Sequence, residues 1–204
     1  MPFTQFDPLF DKHRGPIPLA FLRSLAEKES GFDPKKVSKT GARGLFQITG
    51  IVRNDYNRRH KTSYTIGDLF DPVVSVAMAV DLLQAIVRAY AKHPAPNLKE
   101  DWRNPEFVKL VTMGWNAGYS EGGGVGKVAR YLESKGEPVT HDNVVVNAGA
   151  AGAVAKLGLA APQMWQRGVA ALYRSQPDWP GTAAGVGGLL AMLALFLFGA
   201  HFLR

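Results

Sequence analysis

No cysteine occurs anywhere in the 204-residue chain, which removes disulfides, thiolate metal sites and cysteine nucleophiles from consideration. The five histidines, His13, His60, His93, His141 and His201, lack the close pairing of a metal site, so no metal and no cofactor are expected. Phosphate-cradling glycine loops are missing too, because GGGVGK at 122–127 has neither the spacing nor the preceding strand that such loops need. The opening MPFTQFDPLFDKHRGPIPL has no basic stretch followed by an apolar core, and no signal peptide is expected. Internal repeats and paired alternating segments are also lacking, so the expected fold class is mainly α.

Positive charge, by contrast, is in excess. Lys and Arg number 24 against 17 Asp and Glu, a formal net charge of +7, which draws a protein toward polyanions such as anionic lipid, nucleic acid or envelope polymers. Charge alone does not choose among them, and specific nucleic-acid binding is not expected. Apolar residues crowd into the C-terminus. Gly181 to Ala200 carries no charge, and about 20 such residues at ~1.5 Å each span a hydrocarbon core of about 30 Å. A transmembrane helix is therefore expected over 181–203, with a very hydrophobic core helix as the alternative. Trp165, Arg167, Tyr173, Arg174 and Trp179 precede it, a composition suited to a bilayer interface. A lipid membrane is thus an expected partner.

Along the chain, residues 1–16 carry Pro2, Pro8 and Pro16 and read as an irregular arm. The first helix is expected to begin at Ile17 or Pro18 and to end at Gly31. Leu22, Leu25, Ala26 and Glu29 fall at i, i+3, i+4 and i+7, placing a carboxylate at the end of an apolar face. Two readings stay open there. Desolvation would keep Glu29 protonated nearer neutral pH, as a general acid requires; or the helix simply ends with Glu29 facing water. A glycine-rich loop follows and leads into a short helix at Leu45, and 53–68 reads as a basic, aromatic, loop-like stretch. Val73, Val76, Ala77, Val80, Leu83, Ile86 and Val87 then mark a long helix after Asp71-Pro72. Further helices are expected over PEFVKLVTMGWNAG and GVGKVARYLESKG, flanking the glycines Gly118, Gly122, Gly123 and Gly124. The expected organisation is an arm at 1–16, a catalytic domain at 17–143, an Ala/Gly-rich juxtamembrane segment at 144–180 and the span at 181–203.

Glu29, Ser30, Phe32, Pro34, Ser38, Gly41, Ala42, Gly44, Leu45, Phe46 and Gln47 form a run that resembles the goose-type-lysozyme-like lytic transglycosylases, the SLT family. Two later elements follow in the same order: Phe70-Asp71-Pro72 opening a long helix, with Ser75 where that family commonly has Asn, and Trp115-Asn116-Ala117-Gly118 followed by Val125, Val128 and Tyr131. The resemblance covers roughly 17–135. It implies a lysozyme-like domain that cuts the β-1,4 link between N-acetylmuramic acid and N-acetylglucosamine with one glutamate, Glu29, acting first as acid and then as base. Ordinary glycosidases use two carboxylates; here the muramyl C6 hydroxyl replaces water and gives a 1,6-anhydro product, helped by its high effective concentration within the same sugar.

By the same resemblance, substrate contacts are expected from Ser38, Phe46, Gln47, Trp115, Asn116 and Tyr131, with peptidoglycan glycan strands as the partner. Asn116 either lines the cleft or caps the helix end. Asp33 is read as a turn-capping residue rather than a second acid. Trp115 is the main departure: the family places there a Tyr whose hydroxyl can reach the catalytic Glu, whereas the indole N–H donates but does not accept; either the acid is tuned differently from typical members or the ring stacks on a sugar. A single C-terminal span without a signal peptide leaves the domain on the side where it is made, whereas the wall lies on the other. A bacteriophage virion protein that opens the host wall during genome entry resolves this, with copies of itself or other virion proteins as further partners. A muramidase exported by a secretion apparatus, and an ejection or channel-forming protein that only binds glycan, are the alternatives.

Overall fold

The computed structural model describes residues 4–153 and 160–180. Eight α-helices are found among them: α1 (Asp7–His13), α2 (Leu19–Ser30), α3 (Gly50–His60), α4 (Pro72–Tyr90), α5 (Pro105–Ala117), α6 (Gly124–Ser134), α7 (His141–Asn147) and α8 (Ala160–Arg174). Two single-turn 3-10 helices, Asp68–Phe70 and Pro96–Leu98, sit in the connections. No strand forms among the described residues; the loop between α2 and α3 makes only the isolated bridges Val37↔Arg43 and Arg43↔Ile48. The expected mainly α class is what the chain adopts.

The long helix α4 begins where Asp71 accepts a hydrogen bond from Val73 N–H and Pro72 occupies the first turn, the two signals that open a helix at least cost. Val76, Met78, Ala79, Leu83 and Ile86 are fully buried along it. It is the one described helix long and apolar enough to cross a membrane, yet it is a core helix here, packed against α1, α3 and α5. Asn104 caps α5 in the same way, accepting from Glu106 N–H. The two helices approach closely at Gly114, where an added Cβ would come within 2.5 Å of the Tyr90 hydroxyl. That hydroxyl donates to the Leu110 carbonyl at 2.8 Å. The contact fixes the stretch of α5 that carries Trp115.

Several stretches differ from expectation. The irregular arm expected at 1–16 contains α1: Pro8 sits in the first turn, where proline starts rather than breaks a helix, and Phe10 is completely buried against Phe46. Asp7 and Arg23 of α2 form a buried ion pair at 2.6 Å, and Arg23 also reaches Asp178 at 2.9 Å. The basic stretch expected as loop over 53–68 is helical to His60. Thr49 caps it by accepting from Val52 N–H, and Asp55 pairs with Arg58 and Arg59 at i+3 and i+4.

The segment expected as juxtamembrane, 144–180, holds the end of α7 and all of α8, and α8 packs most extensively on α5 and α2. Tyr173 is fully buried edge-on to Phe21 of α2, and buried Gln166 meets the buried His141 ring at 2.6 Å. The helix therefore belongs to the packed body, where it backs both helices that carry the site. The span expected over 181–203 lies outside the described residues.

Candidate active site

Glu29 occupies the last turn of α2, which Gly31 ends in the left-handed conformation at φ 67° with its N–H on the Glu27 carbonyl. One turn earlier Leu22, Leu25 and Ala26 are fully buried, so the apolar face runs under the carboxyl as the spacing predicts. Burial pushes the Glu29 carboxyl up to about 7 from its ordinary 4.5, against the opposing pull of a hydrogen bond from Trp115 and the positive charge of Lys36. The helix end thus does not simply face water. Of the two readings left open by periodicity, the structure takes the desolvated one.

Trp115, in the last turn of α5, donates its indole N–H to Glu29 Oε1 at 2.7 Å. The ring is held from behind: Phe46 packs edge-on at 6.5 Å between centroids, and Phe10 backs Phe46 at 5.6 Å. This answers what Trp at a tyrosine position does, since an indole supplies the donor that a phenol would.

The loop between α2 and α3 is tied to the helix end by Ser30, whose hydroxyl donates to the Leu45 carbonyl at 2.8 Å. Gly44 adopts φ 77°, and an added Cβ would lie 1.9 Å from the Leu69 carbonyl oxygen, so no other residue fits. Ser75, in the place where the resemblance expects Asn, meets Phe46 N–H with its hydroxyl at 3.2 Å. The serine thereby keeps a polar tie between α4 and the loop. Gln47 sits at φ 49°, a left-handed conformation that costs a non-glycine residue on the order of 1 kcal/mol and tends to mark sites. Its amide nitrogen donates to the carbonyls of Gly44 (2.9 Å) and Lys36 (3.1 Å), which directs the amide oxygen away from the loop.

The remaining expected contacts are more dispersed. Phe46 is fully buried, so it supports Trp115 from the core rather than meeting a ligand. The hydroxyl of Ser38 accepts from Ala42 N–H at 3.0 Å and shapes the turn. Asn116 is exposed and donates to the Thr112 carbonyl at 3.4 Å, one turn back on α5. Tyr131 lies half-buried on α6 with the Lys135 ammonium 5.8 Å from its ring centroid. Asp33 accepts from Lys35 N–H at 2.8 Å, the turn-capping role expected of it. Glu29, Trp115 and the backing Phe46 are thus brought together. Sequence reasoning missed Phe10, which supports that stack from a stretch dismissed as an arm, and Lys36, whose charge acts on Glu29. The i, i+4 pair Phe6 and Phe10 was the signal for the first. No group of three or more His, Asp or Glu suited to a metal occurs among the described residues.

The transglycosylase SLT domain family model matches residues 10–140. The membrane-bound lytic murein transglycosylase F of Yersinia enterocolitica is 32% identical over 114 residues, covering 56% of this chain and 20% of that protein. Its Haemophilus influenzae counterpart is 29% identical over 114 residues with the same coverage. The chain therefore spans about a fifth of the length of these relatives. Among solved structures, the 70 kDa soluble lytic transglycosylase of Escherichia coli superposes with a TM-score of 0.60 at 20% identity, over 88% of this chain and 26% of that one. A 70-kDa soluble lytic transglycosylase in complex with bulgecin A gives the same TM-score at 18% identity. A helical body of this fold, with the family's match extending from Phe10 to Thr140, places the chain in the SLT transglycosylase domain family.

Proposed function

We propose that the chain is a peptidoglycan lytic transglycosylase that cleaves the MurNAc-β-1,4-GlcNAc bond with Glu29 as its single catalytic carboxylate. The observation that carries this reading is the state of Glu29: a carboxyl raised to about 7 by burial, with one oxygen bonded to Trp115 and the other available. A general acid works best when its pKa lies near the working pH. Two-carboxylate glycosidases need a second acidic group across the scissile bond, and Asp33, four residues beyond Glu29, is engaged in its own turn.

Glu29 Oε2–H protonates the glycosidic oxygen as the C1–O bond breaks, and the Trp115 N–H stabilises the carboxylate so formed. The C6 hydroxyl of the muramyl residue then attacks C1 and passes its proton to Glu29. The ring closes as a 1,6-anhydro sugar and the acid is restored. No water is consumed, and the intramolecular hydroxyl needs no separate base to position a nucleophile. Gln47, with its amide oxygen turned from the loop, and Tyr131 are proposed as glycan contacts. Clearing of a purified peptidoglycan suspension by the wild-type chain, absent for a folded Glu29→Gln variant, is the expected result. Clearing by both would remove Glu29 from the mechanism, and clearing by neither would favour a domain that only binds glycan.

Placement in a virion that opens the host wall during genome entry is proposed from the apolar run 181–203, which would hold the chain at a membrane. Co-sedimentation with anionic vesicles by the full chain, lost on removing 181–204, tests the membrane part of that reading.

A further inference from the structure

Three cationic side chains, Lys35, Lys36 and Arg43, stand on the loop that borders Glu29. Their position is built rather than incidental. The Arg43 guanidinium lies 5.4 Å and the Lys35 ammonium 5.6 Å from the centroid of the same Phe70 ring, contacts that hold a cation in place at its aromatic support. The Arg43 backbone is paired with Ile48 in both directions, at 3.0 and 2.9 Å. Gly44 N–H and the Gln47 amide both bond the Lys36 carbonyl. Ser30 ties the whole loop to the turn that carries Glu29.

The ion pairs among the described residues engage Arg14, Arg23, Arg58, Arg59, His60, Lys109, Arg130, His141 and Arg167, and none involves Lys35, Lys36 or Arg43. Arg43 Nε is in addition buried without a hydrogen-bond partner. A buried donor on a charged group is costly to leave unmet, and it is the kind of group that an incoming anion satisfies well.

The N-acetylated sugars of a glycan strand are neutral, and in peptidoglycan the negative charge resides on the carboxylates of the peptide stems that hang from the muramyl lactyl group. We propose that Lys35 and Arg43, held on Phe70, bind stem carboxylates and make this site selective for stem-bearing glycan. The inference rests on the transglycosylase reading of Glu29. Lys36 stays apart from the binding pair because its charge also acts on Glu29 itself.

The test uses the full chain and peptidoglycan stripped of wall-linked polymers, either native or with its carboxylates converted to neutral amides by carbodiimide coupling. Initial release of muramyl ends is measured for the wild type, Lys35→Gln, Arg43→Gln and Arg43→Lys. Two partly exposed ion pairs at ordinary strength predict that amidation lowers wild-type kcat/KM by about 5-fold, chiefly through KM. Each Gln variant should lose roughly 2-fold on the native substrate and little on the amidated one, with Arg43→Lys recovering most of the loss. Added salt should slow the wild type on native material and leave the amidated rate unchanged. Equal losses on both substrates, or a wild type indifferent to amidation, overturn the proposal. Lys35 is exposed, so its variant carries the test if Arg43→Gln does not fold. A wild type that releases nothing from native peptidoglycan refutes the underlying activity instead, which is a separate outcome.

Discussion

Replacing Glu29 by Gln should make the folded protein more stable, and by an amount that depends on pH. In the folded chain the carboxyl holds its proton up to about 7, whereas its ordinary value, taken for the unfolded chain, is 4.5. Above 4.5 the unfolded state gains by releasing a proton that the folded state retains, so the wild type loses stability as pH rises from 4.5 and stops losing it above about 7. The difference between those two values corresponds to about 3 kcal/mol at 1.36 kcal/mol per pH unit. Glu29 retains some solvent access, and screening on that side trims the figure to on the order of 2 kcal/mol. Gln keeps an oxygen for the Trp115 N–H but has no proton to lose. For a body of this size, about 2 kcal/mol moves the melting temperature by roughly 4–8 °C. Thermal melts followed by near-ultraviolet circular dichroism at pH 4, 5.5, 7 and 8.5 measure it. The two proteins should coincide at pH 4 and diverge through pH 7, the variant melting higher. A constant offset across that range, or a less stable variant at pH 8.5, would refute the claim that Glu29 is desolvated in the folded state.

Other perturbations act on its neighbours and its supports. Trp115→Phe removes the side-chain hydrogen bond that opposes the desolvation of Glu29, so the alkaline limb of the kcat/KM profile should move to higher pH while the maximal rate falls about 10-fold. Trp115→Tyr, which restores a donor, should return the profile most of the way. Gly44→Ala meets both a left-handed backbone and the Leu69 carbonyl and should cost about 2 kcal/mol or more in urea titrations. Tyr173→Ala empties a fully buried site between α8 and α2; a loss of about 3–5 kcal/mol is expected. An effect near zero would show that α8 is not part of the cooperative body.

The sequence was most legible where one face of a helix had to be apolar and where glycine was sterically required. The spacing of Leu22, Leu25, Ala26 and Glu29 predicted a carboxylate over the core, and Gly31 marked the cap that ends the helix. Proline was the less faithful guide. Pro8 suggested an arm, but proline in a first turn is compatible with a helix, and the burial of Phe6 and Phe10 outweighed it. The helix α3 was hidden because its stability comes from a cap and from Asp55–Arg58 and Asp55–Arg59 pairs rather than from an apolar stripe.

The site was half legible. Residue types alone placed Glu29, but they could not say whether it faced water, nor that Trp115 would supply its hydrogen bond. Both depend on where α5 and α2 lie relative to each other, which is set by distant contacts such as Gly114 against Tyr90 and α8 behind both helices. Phe46 shows the converse limit. Its place within the motif suggested a ligand contact, whereas its ring fills the core behind Trp115.

Mass spectrometry of the muramyl ends released from purified peptidoglycan tests the central claim most directly. If Glu29 is the single carboxylate, acting as acid and then as base, every new end should be a 1,6-anhydro sugar, lighter by one water than a reducing end. Reducing ends from the wild type would mean that water is activated by a second group, and the single-carboxylate account would be wrong.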